Sequence, residues 1–486
     1  MPEDDFKNSV LSSLFWKSLE RVGVTGVLFV VQIILARLLL PADYGVIALI
    51  IVFIAISQTL VESGLGVALI QKKEVTDTDY SSVFYITLGV AFVSYSILFL
   101  AAPFIATFYN QPLIVPVLRV LGLTLFFGAI NSIQNAIIAR NFLFRKLFIS
   151  SLAAVLLSGA IGIAMAYAGY GVWALVGQQI TSIVTLCIAM WFTLRWRPQL
   201  LFSFMRVKEL FSFGWKLLAS GLIDVTYVNL SSLVIGKLYP ASMLGYYTKG
   251  QEFPGVLVSN IDSSIQAVML PAYAKNQDNT VVVKQIMRRA LVTSSFLVFP
   301  AMAGLAAVAE PLIRLLLTEK WLIAVPFLQI FCATYALWPI HTANLQAINA
   351  LGRSDIFLKL EVVKKALGVS VLAVTIPIGI YAIALGTVVT GIFGTIINAY
   401  PNKLLLDYSF TEQWRDLMPA LTLSLIMCGA TYSVLFLGLS VWVTLILQIT
   451  VGVAVYTGLA WLLRLESLTY VMNTVKEYLP WGSEVH

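Results

Sequence analysis

Apolar residues in this chain gather into long runs, Val22–Leu40, Val46–Leu60 and Ala153–Ala168 among them, separated by short polar turns. A helix needs about 20 mostly apolar residues to cross the hydrocarbon core of a bilayer. The pattern therefore predicts membrane-spanning helices at 12–38, 43–68, 80–107, 113–138, 147–168, 171–194, 210–236, 241–268, 284–308, 322–349, 356–377, 379–402, 416–437 and 440–463. The expected fold class is all-α integral membrane with about fourteen transmembrane helices. No connection between these spans is longer than about twenty residues, which leaves no room for a soluble catalytic domain, so function must reside among the helices. Two other segments read as amphipathic surface helices: Pro198–Phe211, and Leu465–Leu479, where Leu465, Leu468, Met472, Val475 and Leu479 recur at helical spacing.

Composition agrees. Hydrophobic residues make up 59% of the chain and charged residues 11%, where a soluble domain has about half and about a quarter. The start, Met1-Pro-Glu-Asp-Asp, is acidic, and the first apolar run is full length with no small-residue cleavage pattern after it, so the first helix is expected to stay in place. Cys187, Cys332 and Cys428 fall inside predicted spans at unrelated spacings, which supports neither a disulfide framework nor a zinc site. His341 has no companion ligand near it and reads as a packed histidine; no metal and no bound cofactor are expected.

The net charge of +7 is spread over alternate connections rather than one patch, which argues against nucleic acid. Lys72/Lys73, Arg140/Arg145/Lys146, Arg195/Arg197/Arg206/Lys208, Lys275/Lys284/Arg288/Arg289 and Arg353/Lys359 occupy the even connections, while the odd ones carry almost no basic residue. The positive-inside rule then places the even connections and both termini on the cytoplasmic side of an inner membrane.

The first six spans align in order with the next six at an offset of about 200 to 210 residues. Phe15-Trp16-Lys17 parallels Gly214-Trp215-Lys216, Pro41-Ala42 before Tyr44-Gly45 parallels Pro240-Ala241 before Leu244-Gly245, and Val61-Glu62-Ser63 parallels Ile261-Asp262-Ser263. Ala136-Ile137 matches Ala347-Ile348, and Gly171-Val172-Trp173-Ala174 matches Gly379-Ile380-Tyr381-Ala382. The expected organisation is an N-terminal lobe (1–197), an amphipathic linker (198–209), a C-terminal lobe (210–404), a helix pair (405–464) and an amphipathic cytoplasmic tail (465–486). An even number of spans per repeat gives lobes of the same orientation, an arrangement suited to alternating access.

Ala36-Arg-Leu-Leu-Leu-Pro-Ala-Asp-Tyr-Gly-Val-Ile-Ala-Leu, Val61-Glu-Ser-Gly-Leu-Gly-Val-Ala-Leu-Ile-Gln-Lys, Leu244-Gly-Tyr-Tyr-Thr-Lys-Gly and Ile348-Asn-Ala-Leu-Gly-Arg resemble the Wzx-type polysaccharide transporters of the multidrug/oligosaccharidyl-lipid/polysaccharide superfamily. The likeness is greatest to the branch exporting colanic and teichuronic acid. It implies two pseudo-symmetric six-helix lobes, as in the superfamily's multidrug (MATE) transporters, plus a C-terminal pair. It also implies a flippase carrying an undecaprenyl-pyrophosphate-linked oligosaccharide from the cytoplasmic to the periplasmic leaflet for surface polysaccharide synthesis, with membrane lipids, a polymerase and a co-polymerase as candidate partners.

Ionisable side chains at bilayer depth cost about 2.5–3.5 kcal/mol each on insertion scales and so mark a cavity or a partner. Lys17 and Arg21 share a face of the first span and Lys216 opens the seventh at the matching position, which makes these three the candidate head-group site; snorkelling topology anchors are the alternative. Glu62 and Asp262, in equivalent places on the second and eighth spans, are candidate gate residues or a structural pair. Arg119, Asp224, Lys249 and Glu252 are candidate cavity residues, with two further readings open: an i, i+3 pair of Lys249 with Glu252, and a coupling proton or sodium ion at Asp224. Amides such as Gln58, Asn135 and Gln346 and the aromatics Trp173, Tyr227, Tyr246 and Tyr247 suit a passing sugar chain.

An enzyme would need an extramembrane domain or clustered catalytic carboxylates, and nucleotide hydrolysis a phosphate-cradling glycine loop; neither pattern is present. Two rivals stay open. A cation-coupled drug or metabolite antiporter of the same superfamily would need carboxylates buried in the first lobe, which offers only Glu62. A non-transporting assembly scaffold would have little use for deep charges.

Overall fold

The computed structural model describes residues 3–276, 279–465 and 467–469. Those residues form α-helices joined by short turns, with two 3-10 turns and no strand among them. Packing divides the chain into two compact units, Met1–Gly245 and Tyr246–His486.

The first unit contains α1 (Glu3–Leu38), α2 (Pro41–Glu62), α3 (Leu65–Gln71), α4 (Asp77–Tyr109), α5 (Ile114–Gly122), α6 (Thr124–Arg140), α7 (Phe144–Tyr167), α8 (Val172–Thr193), α9 (Phe204–Leu238) and the first turn of α10 (Ala241–Asn276). α1 lies along α7, α7 along α8, and α2 against α4 and α9. The predicted second span is two helices, because Ser63 (φ 52°) and Gly64 (φ 66°) both take the left-handed conformation between α2 and α3. A Cβ at Gly64 would run into the carbonyl oxygen of Gly214 on α9, so both the backbone angle and the helix approach call for glycine there. Beyond the bend, Leu65, Leu69, Val83, Ile133, Ile137, Leu194 and Leu210 form one buried apolar cluster drawn from α3, α4, α6, α9 and the end of α8.

The second unit contains the rest of α10, then α11 (Thr280–Ala307), α12 (Ala309–Leu316), α13 (Ala324–Ala336), α14 (Trp338–Ala350), α15 (Ser354–Thr375), α16 (Ile380–Leu406), α17 (Phe410–Ser433) and α18 (Val441–Leu462). α17 packs along α11, and α16 touches α13, α14 and α15. Tyr273, Met287, Leu291, Phe299, Tyr408 and Leu417 are central to its core, and Leu465 and Leu468 pack against that core. The continuation of the expected tail helix through Met472, Val475 and Leu479 lies outside the described residues.

Among the described residues, eleven helical segments are long and apolar enough to cross a membrane. The three other predicted spans correspond to α10, which carries Lys249, Glu252, Asp262 and Lys275; to α13 and α14, each of 13 residues; and to α15, which carries Asp355, Lys359, Glu361, Lys364 and Lys365. Charged residues set α10 and α15 apart from the eleven, and the interruption at Leu337 sets apart α13 and α14.

Repeated sequence produces repeated local geometry. α1 ends at Leu38 and α2 begins at Pro41, and α9 ends at Leu238 and α10 begins at Ala241, the same two-residue break. α6 and α14 end in the same turn: Leu143 N donates to Ile138 O at 3.0 Å and Arg353 N to Ile348 O at 3.1 Å, with Phe142 (φ 54°) and Gly352 (φ 72°) left-handed. Within the first unit Gly45 and Gly245 pack reciprocally. A Cβ at Gly45 would meet the Ala241 carbonyl, and one at Gly245 the Pro41 carbonyl.

Candidate functional site

The basic residues expected to receive a head group all belong to the first unit. Lys17 is exposed on α1, with its Nζ 5.5 Å from the centre of the Phe144 ring on α7. One residue earlier, Trp16 packs on Phe148 at 5.8 Å between ring centres, and the guanidinium of Arg145 lies 5.3 Å from the Trp16 ring. Around Trp16 and Lys17, α1 is thereby fixed on α7 by interleaved cations and rings, contacts worth about 0.5–1 kcal/mol each at exposed sites. Arg21 is one turn further along and is also exposed. Lys216 is exposed on α9, two residues after the Gly214 that packs on the Ser63–Gly64 bend. Lys17 thus lies against α7, while near Lys216 it is Gly214 that packs on the α2–α3 bend.

The candidate cavity residues separate further. Arg119 on α5 stacks its guanidinium 4.0 Å from the Phe99 ring and donates from Nε to the Phe99 carbonyl at 3.3 Å. Asp224 is exposed midway along α9. In the second unit the buried Lys249 pairs with Glu252 at 2.6 Å, one helical turn apart on α10, so the two charges satisfy each other.

Neither candidate gate acid joins an ion pair among the described residues. Glu62 Oε1 accepts from Gln58 Nε2 at 3.2 Å. Asp262, 8% exposed, accepts on Oδ2 from Gln266 Nε2 at 2.6 Å and from Trp338 Nε1 at 3.3 Å. Both acids are therefore held by a glutamine four residues away on their own helix.

Sequence reasoning passed over the most heavily bonded carboxylate, Asp79. It is fully buried, takes Thr76 N at 2.8 Å and Thr76 Oγ1 at 2.9 Å, and pairs with Lys72 at 3.2 Å and Arg206 at 3.1 Å. Lys72 also reaches Glu209 at 3.3 Å. Arg140 caps the neighbouring turn, donating to the carbonyls of Leu69 and Ile70 at 3.2 Å. Gln199 N bonds Ser81 Oγ at 3.0 Å and Ser203 N bonds Ser82 Oγ at 2.9 Å. The linker is thus moored to the start of α4. A Thr-x-x-Asp capping box at Thr76 was the readable signal. Beside the mooring, Lys72, Lys73, Glu74, Thr76, Ser203 and Arg206 border an open cavity of about 640 Å³.

A second polar cluster, around Asn344, lies in the core of the second unit. Asn344 Nδ2 donates to Gln413 Oε1 at 2.8 Å, Gln413 Nε2 to Asn344 Oδ1 at 3.1 Å, and Asn402 Nδ2 to the same Oδ1 at 2.8 Å. This amide set ties α14, α16 and α17 together. His341 Nδ1 lies 3.0 Å from Asn398 Nδ2. Among the described residues no three His, Cys, Asp or Glu side chains gather where they could hold a metal ion.

These positions sit on a fold with known counterparts. The chain is 25% identical over 397 residues to the lipopolysaccharide biosynthesis protein WzxC of Escherichia coli, covering 81% of each chain. It is 24% identical over 458 residues to the teichuronic acid biosynthesis protein TuaB of Bacillus subtilis, covering 92% of this chain and 94% of the relative. The solved structure of the lipid II flippase MurJ in an inward closed conformation superposes with a TM-score of 0.74 at 14% identity, over 94% of this chain and 98% of that one. The family described as "Polysaccharide biosynthesis protein" matches residues 34–326, more than half of a multi-pass membrane protein with this architecture, and the chain belongs to that family.

Proposed function

We propose that the protein is a flippase of surface-polysaccharide synthesis: it moves an undecaprenyl-diphosphate-linked oligosaccharide from the cytoplasmic to the outer leaflet of the inner membrane by alternating access. The observation that carries this reading is the family match over residues 34–326. It is supported by the likeness in fold to a lipid II flippase and by the names of the two relatives, which concern envelope polysaccharides.

In this reading Arg21, with Lys17 and Lys216, receives the diphosphate on the cytoplasmic side. A diphosphate needs several donors and positive charge but no metal, and exposed guanidinium and ammonium groups supply both. Arg119, Asp224, Lys249 and Glu252 belong to the path of the substrate, and Glu62 and Asp262 to its gating. An anionic substrate moving outward gains about 2.3 kcal/mol per charge for each 100 mV crossed; Asp224 is the candidate for any coupled proton or sodium ion. Both termini face the cytoplasm, and a polymerase and co-polymerase act on the delivered product. The protein itself breaks no covalent bond.

The test is a deletion strain without redundant exporters. Extracted lipid intermediates, measured by mass spectrometry, should accumulate while surface polymer is lost. Unchanged intermediates and polymer would sink the proposal and favour transport of a different solute.

A further inference from the structure

The second unit carries a polar and aromatic stripe of which the roles above use only Asp262. On α10, Gln251, Asp262 and Gln266 share one face, being separated by 11 and 4 residues. Opposite them lie Tyr335, Trp338 and Gln346. The three cross-helix links are Gln251 Nε2 to Tyr335 Oη at 3.4 Å, Trp338 Nε1 to Asp262 Oδ2 at 3.3 Å, and Gln346 Nε2 to Gln266 Oε1 at 3.1 Å. Gln266 passes the polarity on to Asp262.

Two features separate this stripe from ordinary helix-to-helix bonding. First, Tyr335 and Trp338 stack face to face, with ring centres 5.4 Å apart and planes 20° from parallel, directly over the break between α13 and α14. Each of those helices has 13 residues, and Leu337 between them keeps a helical backbone (φ −79°, ψ −9°) with Pro339 two residues on, so the pair forms one kinked segment. A proline kink frees a backbone carbonyl that a neighbouring polar group or an ordered water satisfies. Second, Trp338 is 43% exposed while Asp262 behind it is 8% exposed and has no cationic partner within 4 Å among the described residues. A carboxylate held only by neutral N–H donors beside an exposed ring is costly against lipid and suited to a wet wall.

We propose that this stripe is a glycan subsite. The face of the Tyr335–Trp338 stack receives the C–H face of a pyranose ring, and the amides of Gln266 and Gln346, aligned by Asp262, exchange hydrogen bonds with its hydroxyls. Sugars present that combination, an apolar face ringed by donors and acceptors; a drug cation would call for an accessible carboxylate rather than one already engaged by Trp338 and Gln266. The proposal rests on the flippase reading and adds where the sugar, as distinct from the diphosphate, is recognised.

The experiment measures binding to full-length protein in nanodiscs with two probes: undecaprenyl diphosphate alone, and the same lipid bearing the host's oligosaccharide repeat. Wild-type protein should bind the sugar-bearing lipid more tightly. Trp338→Ala should weaken that binding about tenfold, the size of a lost aromatic platform, and leave the sugar-free lipid within about twofold. Trp338→Phe and Gln346→Ala, which change fewer contacts, should each give a smaller loss confined to the sugar-bearing probe. Equal loss for both probes, or no loss in any folded variant, overturns the subsite while leaving the transport reading standing. Wild-type protein that binds neither probe overturns both.

Discussion

Replacing Asp79 by alanine should release the 198–209 linker from the membrane-embedded core. The carboxylate is fully buried and holds four donors: the backbone and hydroxyl of Thr76 and the charged ends of Lys72 and Arg206. Breaking a buried ion pair from one side costs about 3–5 kcal/mol. Lys72 is 22% and Arg206 39% exposed, so water recovers part of that. Losing the cap at the start of α4 adds back about 1 kcal/mol. A net loss of about 2–4 kcal/mol follows, most of it local, with the serine contacts to Gln199 and Ser203, Arg206 on Thr76 Oγ1 at 2.6 Å and Glu209 on Lys72 left as the remaining moorings. If tryptic cleavage at Arg206 and Lys208 follows local opening, its rate should rise about 30- to 1,000-fold. Asp79→Asn keeps an acceptor for Thr76 and loses the charge, so it should fall between the variant and wild type. Limited proteolysis of purified protein in detergent, with thermal unfolding in parallel, reads both. Wild-type cleavage rates and an unchanged unfolding temperature in Asp79→Ala would refute the mooring.

Gly45→Ala should lower folded yield, since its Cβ would strike the Ala241 backbone at an overpacking cost of about 1–3 kcal/mol or more; Gly26→Ala, with nothing within 4 Å of its Cβ, should gain up to about 1 kcal/mol from helix propensity, and equal behaviour in size-exclusion profiles would contradict the contrast. Asn344→Leu should cost about 1–3 kcal/mol for each amide it leaves unpaired at Gln413 and Asn402, read as a lower unfolding temperature; an unchanged temperature would show that the amide set does not hold α14, α16 and α17. Arg21→Glu should abolish surface polysaccharide at normal protein level, and normal polymer would remove Arg21 from the head-group site.

The helical membrane fold was legible because the solvent it answers to leaves only long apolar segments, and composition alone carries that signal. What the runs could not give is where a span is broken. Ser63 and Gly64 bend the second span where Gly214 of α9, distant in sequence, packs on them, whereas the interruption at Leu337 in the tenth is local, with Pro339 in the first turn of α14. The repeat pointed to Gly45 and Gly245 as matched positions, but only packing shows that each glycine exists to admit the other helix's backbone. Charges were easy to locate and hard to assign. Lys249 and Glu252 found each other one turn apart, as local spacing allows. Lys17 and Arg119 instead rest on Phe144 and Phe99, because an aromatic face is an available partner where carboxylates are scarce. Asp79 was overlooked since an acid in the first turn of a helix is commonplace, and its two cationic partners come from a loop before it and a linker more than a hundred residues after it. The sequence repeat assigns α9 to the second lobe, whereas packing assigns it to the first unit. Duplication and packing record different things, ancestry in one case and contact in the other.

The most direct test of the account is movement of the substrate itself. Purified protein is reconstituted into vesicles containing lipid-linked oligosaccharide, and the share of glycan exposed to a membrane-impermeant oxidant is followed with time. The account predicts that exposure rises beyond the outer-leaflet pool in vesicles holding the wild-type protein and stays at that pool in vesicles holding Arg21→Glu. Exposure that stays at the outer-leaflet pool with wild-type protein, in vesicles shown to be sealed and to contain folded transporter, would contradict it.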